Sequence, residues 1–581
     1  MNIIPQVRMA PTLNAPVEKI RLVKPNMIAD QGKCESYVNV GLFFDGTRNN
    51  YISDAINLSH SNIARLSDTY KNEPKRGYFK VYIPGVGTKF PEISEYGESN
   101  FGSGFGSGCE ARVIYAMLAV INSLHQFAFQ ESLFFSGTQI DALCSVRRSL
   151  TAPLPKLLAL RKLGLEEGLL MPDFFGSGNR DTFFREQLLR LKNKLISDGK
   201  PKIMECFIDV FGFSRGAAEA RVFCSWLNKL LANGKLAGVP VRFRFLGIMD
   251  TVASAGFWSS AVSSLKNNAD GHSGWAAVEY LRLPTNLENC IHMVAMHEVR
   301  RNFPLDEAGV DGELPPNTQE IVYPGSHSDV GGGYGIGELG VSVSENFLEA
   351  DALKLSQIPL NHMFECAYMA GCPMQKTRAI KKIYYNIMTK QNEKKPLIYD
   401  PFAIGEDLLI SYRVFILSSP TNSQEVREWM QPYLNWRWQN RNNYNNLLHV
   451  NRASKKEKEI LQKFNRILIR DADLIERMSG EDKDEKLRRF FGADNFTESE
   501  LITASYFDKE SKRVLDLAKN APAISKTMQY FFDNFVHDSL AGFDSHVLEL
   551  SGYWRYRKGF VGGNISRIVM NDNVGNKSQL S

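Results

Sequence analysis

The sequence predicts an α/β fold: an α/β-hydrolase-like, mostly parallel sheet with insertions and a largely helical C-terminal region. Three observations carry that expectation. Strand-like apolar runs alternate with helical patterns through the first half of the chain, the rhythm of a parallel sheet with crossover helices. One buried run, Cys206–Phe211, ends directly in a glycine-flanked serine from which an amphipathic helix departs. The 43% hydrophobic and 23% charged composition is that of a globular protein, and 581 residues imply several structural units.

Residues 1–35 read as an extended, proline-punctuated arm. Tyr37–Phe44 is the first strand, β-branched and aromatic, ending at Asp45-Gly46-Thr47. Residues 54–70 are helix-like, and Tyr78–Ile83 alternates as a strand up to Pro84-Gly85. A glycine-rich stretch then leads into a helix from about Glu110 to Gln126. Residues 130–180 are irregular and read as an insertion. Phe184, Leu188, Leu191 and Leu195 mark an amphipathic helix that ends at Gly199. After the buried strand comes a helix with Phe223, Trp226, Leu227, Leu230 and Leu231 on one face, closed by Asn233-Gly234. Val241–Met249 and Ile291–Met296 are further strands.

These elements define a catalytic unit over 36–345, with insertions at about 130–180 and 251–285. The second insertion, with Phe257, Trp258 and Trp275, is placed to act as a lid. Beyond it helical patterns dominate 346–524, where Ser454-Lys-Lys-Glu457 and Thr497-Glu-Ser-Glu500 are capping boxes. Trp429, Trp436, Trp438 and Trp554 lie near cations there, which suits either a membrane headgroup interface or internal packing. Residues 525–565 are expected to return to the catalytic unit, and 566–581 form a polar tail.

A net charge of +5 is small for this length and argues against nucleic acid as a partner. Eight cysteines without a CxxC pair argue against a disulfide scaffold or a zinc site, and no cofactor or metal is expected. The first 25 residues lack the apolar core of a secretory signal, and no run of about 18 apolar residues occurs. The expected route is synthesis in the cytoplasm, with export, if any, by a system that reads no N-terminal signal.

Gly212-Phe-Ser-Arg-Gly216 has the G-x-S-x-G form. A sharp strand-to-helix turn holds the serine in strained backbone geometry and lifts its hydroxyl above the sheet, while the glycines prevent clashes across the turn. Ser214 is therefore the candidate nucleophile. It needs a base, and the base an orienting acid. Asp250 follows the next strand and points to the same sheet edge, with Asp329 and Asp270 as rivals. His327 sits in Pro324-Gly-Ser-His-Ser-Asp-Val-Gly-Gly-Gly333, a glycine-broken loop that a core histidine would not need. His537 is the alternative base, while His292 and His297 read as packed core residues. Two backbone N–H groups must receive the developing oxyanion. Arg215 supplies one, and the Asp45-Gly46 loop is the natural source of the other.

Four blocks occur in order: Leu42-Phe-Phe-Asp-Gly-Thr-Arg-Asn-Asn50, Gly212-Phe-Ser-Arg-Gly-Ala-Ala218, Asp250-Thr-Val252 and Pro324 to Tyr334. Together they resemble the first family of type VI secretion lipase effectors over roughly residues 37–340. The resemblance implies phospholipase A type activity on membrane phospholipids, with Ser214, Asp250 and His327 on the triad positions. It also implies delivery by the type VI machinery into a neighbouring bacterial cell, to act at its periplasm or membrane. The partners it implies are a spike protein or adaptor and a cognate immunity protein. Competing readings are a soluble carboxylesterase or thioesterase, and a non-catalytic binding protein on a hydrolase scaffold. A haloacid dehalogenase-type phosphatase is disfavoured, because Phe43 stands where its nucleophilic aspartate would be.

Overall fold

The strands of the first half join into one sheet, as their burial on both faces requires. The computed structural model describes residues 8–9, 20–25, 36–98, 105–130, 132–145, 153–165, 177–253, 276–309, 313–376, 379–381, 384–386, 391–393, 397–418, 426–478, 507, 509–543, 552–561 and 565–566. In chain order the strands are β1 (Arg8–Met9), β2 (Ser36–Phe44), β3 (Tyr78–Ile83), β4 (Ile203–Phe213), β5 (Lys235–Leu236), β6 (Val239–Met249), β7 (Cys290–Ala295), β8 (Leu305–Asp306) and β9 (Thr318–Tyr323). The sheet runs β1-β9-β7-β6-β4-β2-β3, every neighbouring pair parallel, with β5 turned back antiparallel on β6. The fold is thus α/β with a mostly parallel sheet.

The period of two along β2 divides the core. Val38, Val40, Leu42 and Phe44 face the helices Phe105–Ala128 and Arg215–Leu230, packing with Val113, Ile114, Met117 and Phe223. Phe43 points the other way and stacks on Phe211, with ring centres 4.9 Å apart. That second face is covered by the helices Asn62–Thr69 and Gln357–Ala370, with Leu66, Leu360 and Met363, and the same core continues through Tyr412, Tyr433, Phe531 and Phe532 of the C-terminal half.

This packing decides the role of the tryptophans. Trp429, Trp436 and Trp554 are 5%, 2% and 1% exposed, and Trp438 is half-buried against Trp554. They belong to the core over the sheet, so the headgroup-interface reading is corrected: their aromatic area is already removed from water. The Ser454 capping box forms, with the Ser454 N–H donating to Glu457 Oε2 (2.9 Å) and the Glu457 N–H to Ser454 Oγ (3.4 Å). The Thr497 box and the lid segment with Phe257, Trp258 and Trp275 lie outside the described residues.

Two small antiparallel pairs interrupt the helical region, β10 (Ala379–Lys381) with β13 (Leu397–Tyr399) and β11 (Tyr384–Asn386) with β12 (Gln391–Glu393). Three-residue strands carry too little periodicity to be read from sequence. Near the C-terminus β14 (Gly559–Val561) pairs with β15 (Ile565–Ser566) and, in parallel, with β8. Among the described residues no helix is long and apolar enough to cross a membrane.

Candidate active site

β4 stops at Phe213 and a helix starts at Arg215, leaving Ser214 at φ 58°, ψ −123°. Such an angle costs a non-glycine residue about 1–3 kcal/mol and must be held by its surroundings. Here the end of β6 holds it. The Ser214 N–H donates to the Met249 carbonyl (3.0 Å), and the Val252 N–H donates to the Ser214 carbonyl (3.2 Å). The flanking glycines have steric reasons. A Cβ on Gly212 would lie 2.5 Å from the Gly216 carbonyl oxygen, and one on Gly216 would overlap the carbonyls of Phe44 and Asp45.

Asp250, the first residue after β6, is fully buried at φ 45°. Its Oδ2 accepts from His327 Nδ1 at 2.5 Å, and its Oδ1 from the Ala295 N–H at 2.8 Å. The Arg557 guanidinium, from the far end of the chain, grips both oxygens at 2.7 and 2.8 Å. Burial alone would push the Asp250 carboxyl up, but the Arg557 charge and the His327 contact outweigh it and hold the acid well below the usual carboxylate range.

His327 opens a short helix, His327–Gly331, which the sequence had suggested as a loop. The glycines do bracket it with left-handed angles, Gly325 at φ 109° and Gly332 at φ 77°. The imidazole lies between the rings of Phe213 (4.6 Å) and Phe303 (5.0 Å). Its main-chain N–H donates to Glu298 Oε2 (3.1 Å), and Arg300 grips Glu298 with Nε and Nη2, each at 2.9 Å. Burial pulls the His327 imidazole below its ordinary value, against the raising effect of the Asp250 contact. With Asp250 ionised, Nδ1 carries the proton and Nε2 is the basic nitrogen.

Ser214 and His327 line one cavity of about 390 Å³, with Thr47, Arg48, Arg215 and Tyr334 in its wall. It lies at the C-terminal ends of the parallel strands, where this architecture places sites. A larger cavity of about 830 Å³ is at the opposite sheet edge, near Tyr37, Lys75 and Arg76, and contains none of these groups.

The expected oxyanion loop is used differently. The Asp45 N–H donates to the Ile83 carbonyl (3.0 Å), and the Gly46 N–H to Asp45 Oδ1 (2.7 Å). The Asp45 carboxylate also accepts from Ser61 Oγ and Tyr82 Oη, both at 2.5 Å. Burial pushes its carboxyl up to about 6 despite these donors. Asp45 and Gly46 therefore shape the loop, and both of their amides are committed elsewhere. Of Asp45, Gly46 and Thr47, it is Thr47 that reaches the cavity wall, and Arg215 Nη1 donates to its Oγ1 (3.0 Å).

The alternative base and acid pair with each other. His537 Nδ1 meets Asp329 Oδ1 at 2.6 Å, the His537 N–H donates to Asp329 Oδ2 (3.1 Å), and the imidazole stacks on Tyr334 at 3.7 Å. Asp329 also caps the His327 helix through Ser326. Asp270 lies outside the described residues. His292 and His297 are buried, His292 between Thr251 and Glu320 and His297 beneath Tyr433. His537→Ala should leave kcat within a few-fold of wild type while weakening the fold by about 2 kcal/mol through the lost Nδ1 bond to Asp329 and the lost stacking on Tyr334. His327→Ala should remove activity with a comparable effect on unfolding, since its imidazole is buried and bonded to Asp250 in the same way. Kinetics separates the two, and parallel urea melts compare their folds. Glu298, Arg300 and Arg557 were missed from sequence; Arg557 falls in the 525–565 stretch expected to return to the catalytic unit, and nothing in that stretch points to Asp250. Among the described residues no cluster of three or more His, Cys, Asp or Glu side chains is placed to hold a metal ion.

Residues 231–366 match the model of the type VI secretion system phospholipase effector Tle1-like catalytic domain. That stretch contains Asp250 and His327, and Ser214 precedes it. Two of the four sequence blocks, 250–252 and 324–334, fall within it, so the resemblance read from the motifs and the match coincide there. A crystal structure of an uncharacterized protein from Pseudomonas aeruginosa is similar, with a TM-score of 0.65 at 24% identity over 92% of this chain and 80% of that one, a likeness of fold. The Tle1 effector solved bound to the VgrG spike of the type 6 secretion system aligns with a TM-score of 0.24 at 20% identity, over 53% of each chain. No curated protein matches the sequence.

Proposed function

We propose that this chain hydrolyses acyl esters of membrane phospholipids, as an A-type phospholipase acting through Ser214, His327 and Asp250. The observation that carries the proposal is the 2.5 Å bond from His327 Nδ1 to Asp250, made beside the Ser214 elbow in one shared cavity. His327 Nε2 takes the Ser214 proton as Oγ attacks the ester carbonyl, and Asp250 holds the imidazole in its tautomer and stabilises the cation. The Arg215 and Thr47 amides receive the oxyanion. The imidazolium gives the Ser214 proton to the departing lysophospholipid oxygen as the C–O bond breaks and the acyl-enzyme forms. His327 then activates a water that attacks the acyl carbonyl, releasing the fatty acid and returning the proton to Ser214 Oγ. No step in this mechanism calls for a cofactor.

The family match supports carriage by the type VI machinery, and with it an antibacterial role in the target-cell periplasm or membrane. A spike protein or adaptor would load the chain, and a cognate immunity protein would silence it in the producer. The test is mass spectrometry of products from position-labelled phospholipid vesicles, with Ser214→Ala as control. Free fatty acid and lysophospholipid are expected. Release of the headgroup instead would overturn the proposal, and a rate no higher on vesicles than on monomeric esters would favour a soluble esterase.

A further inference from the structure

We propose that Arg557 is a positioning residue for this reaction: by chelating both oxygens of Asp250 from the C-terminal segment, it sets how strongly the acid holds the His327 imidazolium. The inference rests on the Ser214–His327–Asp250 reading. Arg557 reaches Asp250 across 307 residues of sequence, with Nη1 to Oδ1 at 2.7 Å and Nη2 to Oδ2 at 2.8 Å. The side chain is 3% exposed and its aim is fixed. Nε donates to the Phe303 carbonyl (2.8 Å) and the Arg557 N–H to Met430 Sδ (3.0 Å).

The segment around it is fastened at several points. Tyr553 Oη donates to Asp538 (2.5 Å), Trp554 Nε1 to the Leu468 carbonyl (2.9 Å) and Tyr556 Oη to Gln431 (2.5 Å), and β14 then pairs with β8. A planar fork held this way fixes the carboxylate in its plane, and so fixes the direction of the bond to Nδ1.

The charge has a second effect. A triad aspartate that faces only its histidine lends its full negative charge to the imidazolium. Here a permanent cation on the far side of the carboxylate offsets part of it. The other charged or titratable groups around the pair are Glu298 and Arg300 on the His327 main chain, Asp306 at the Ala253 amide, and His292 with Glu320 beneath Thr251. Arg300 lowers and Glu298 raises the His327 imidazole, in opposition to each other, and among the described residues Arg557 is the cation bonded to the acid itself. Removing it should let His327 hold its proton to higher pH.

The experiment measures kcat/KM against pH on a soluble ester for the full-length wild type, Arg557→Lys and Arg557→Met, with thermal melts of each. In Arg557→Met the acidic limb should move up by roughly one pH unit and kcat should fall of order 10²-fold from lost alignment. Millimolar guanidinium should restore both in part. Arg557→Lys should keep the limb near wild type and recover only part of kcat, because one ammonium cannot chelate two oxygens. Equal loss at every pH without guanidinium rescue would overturn the proposal, as would a Met variant indistinguishable from wild type. If wild-type hydrolysis proves independent of Ser214, the underlying triad reading fails instead.

Discussion

Ser214→Ala is expected to lower kcat for ester hydrolysis by about 10⁴-fold or more while leaving the melting temperature within a degree or two. The size follows from what one oxygen does. Without Oγ there is no acyl-enzyme, and the His327–Asp250 pair has no nucleophile to activate. What remains is substrate binding and the oxyanion amides, which by themselves retain only a small part of the acceleration. The small effect on folding follows from the backbone. The contacts that hold residue 214 at φ 58° run through its own N–H and carbonyl, to Met249 and Val252, and alanine keeps both. The variant therefore separates chemistry from architecture. Purified Ser214→Ala, measured beside wild type on one soluble ester and on vesicles, should fall equally on both. A variant retaining a near-normal rate would remove Ser214 from the mechanism.

What could be read from the sequence was local. A buried strand, a glycine-bracketed serine and an amphipathic helix are consecutive, so the elbow is written within about twenty residues, and β4, Ser214 and the helix Arg215–Leu230 stand where that pattern puts them. Asp250 was legible as the first polar residue after an apolar strand, and His327 because Gly325, Gly332 and Gly333 mark backbone that other residues resist.

The rest depended on long-range geometry. Gly46 looked like an oxyanion donor because it follows a strand, but its amide turns to the Asp45 carboxylate, whose place is set by Ser61 and Tyr82. Neighbouring aromatic and cationic residues have the same composition at a membrane surface and in a core, and only the packing of Trp436 and Trp554 over the sheet decides between them. Arg557 is the extreme case, since no spacing rule links a residue to a partner 307 positions away.

That long-range pair underlies the second large effect. Asp250→Asn is expected to lower kcat by about 10⁴-fold, because an amide neither fixes the productive imidazole tautomer nor stabilises the imidazolium. It should also weaken the fold by about 3–5 kcal/mol, because the Arg557 guanidinium is left buried opposite a neutral group. The double variant Asp250→Asn, Arg557→Met removes both charges. It should regain much of that stability while activity stays at the level of Asp250→Asn, so the stability cycle is far from additive and the activity cycle is not relieved.

The pH dependence has a definite sign. The folded-state pKa of Asp250 is depressed, so its stabilising contribution is complete above the unfolded carboxyl value near 4 and is lost as pH falls through the folded value. The stability gap between wild type and Asp250→Asn should thus be widest at neutral pH and narrow progressively below about pH 4. Urea melts at pH 7 and pH 3 measure both gaps. A double variant as unstable as the sum of its singles, or a gap that does not narrow in acid, would mean that the Asp250–Arg557 ion pair is not what holds the C-terminal segment to the catalytic acid.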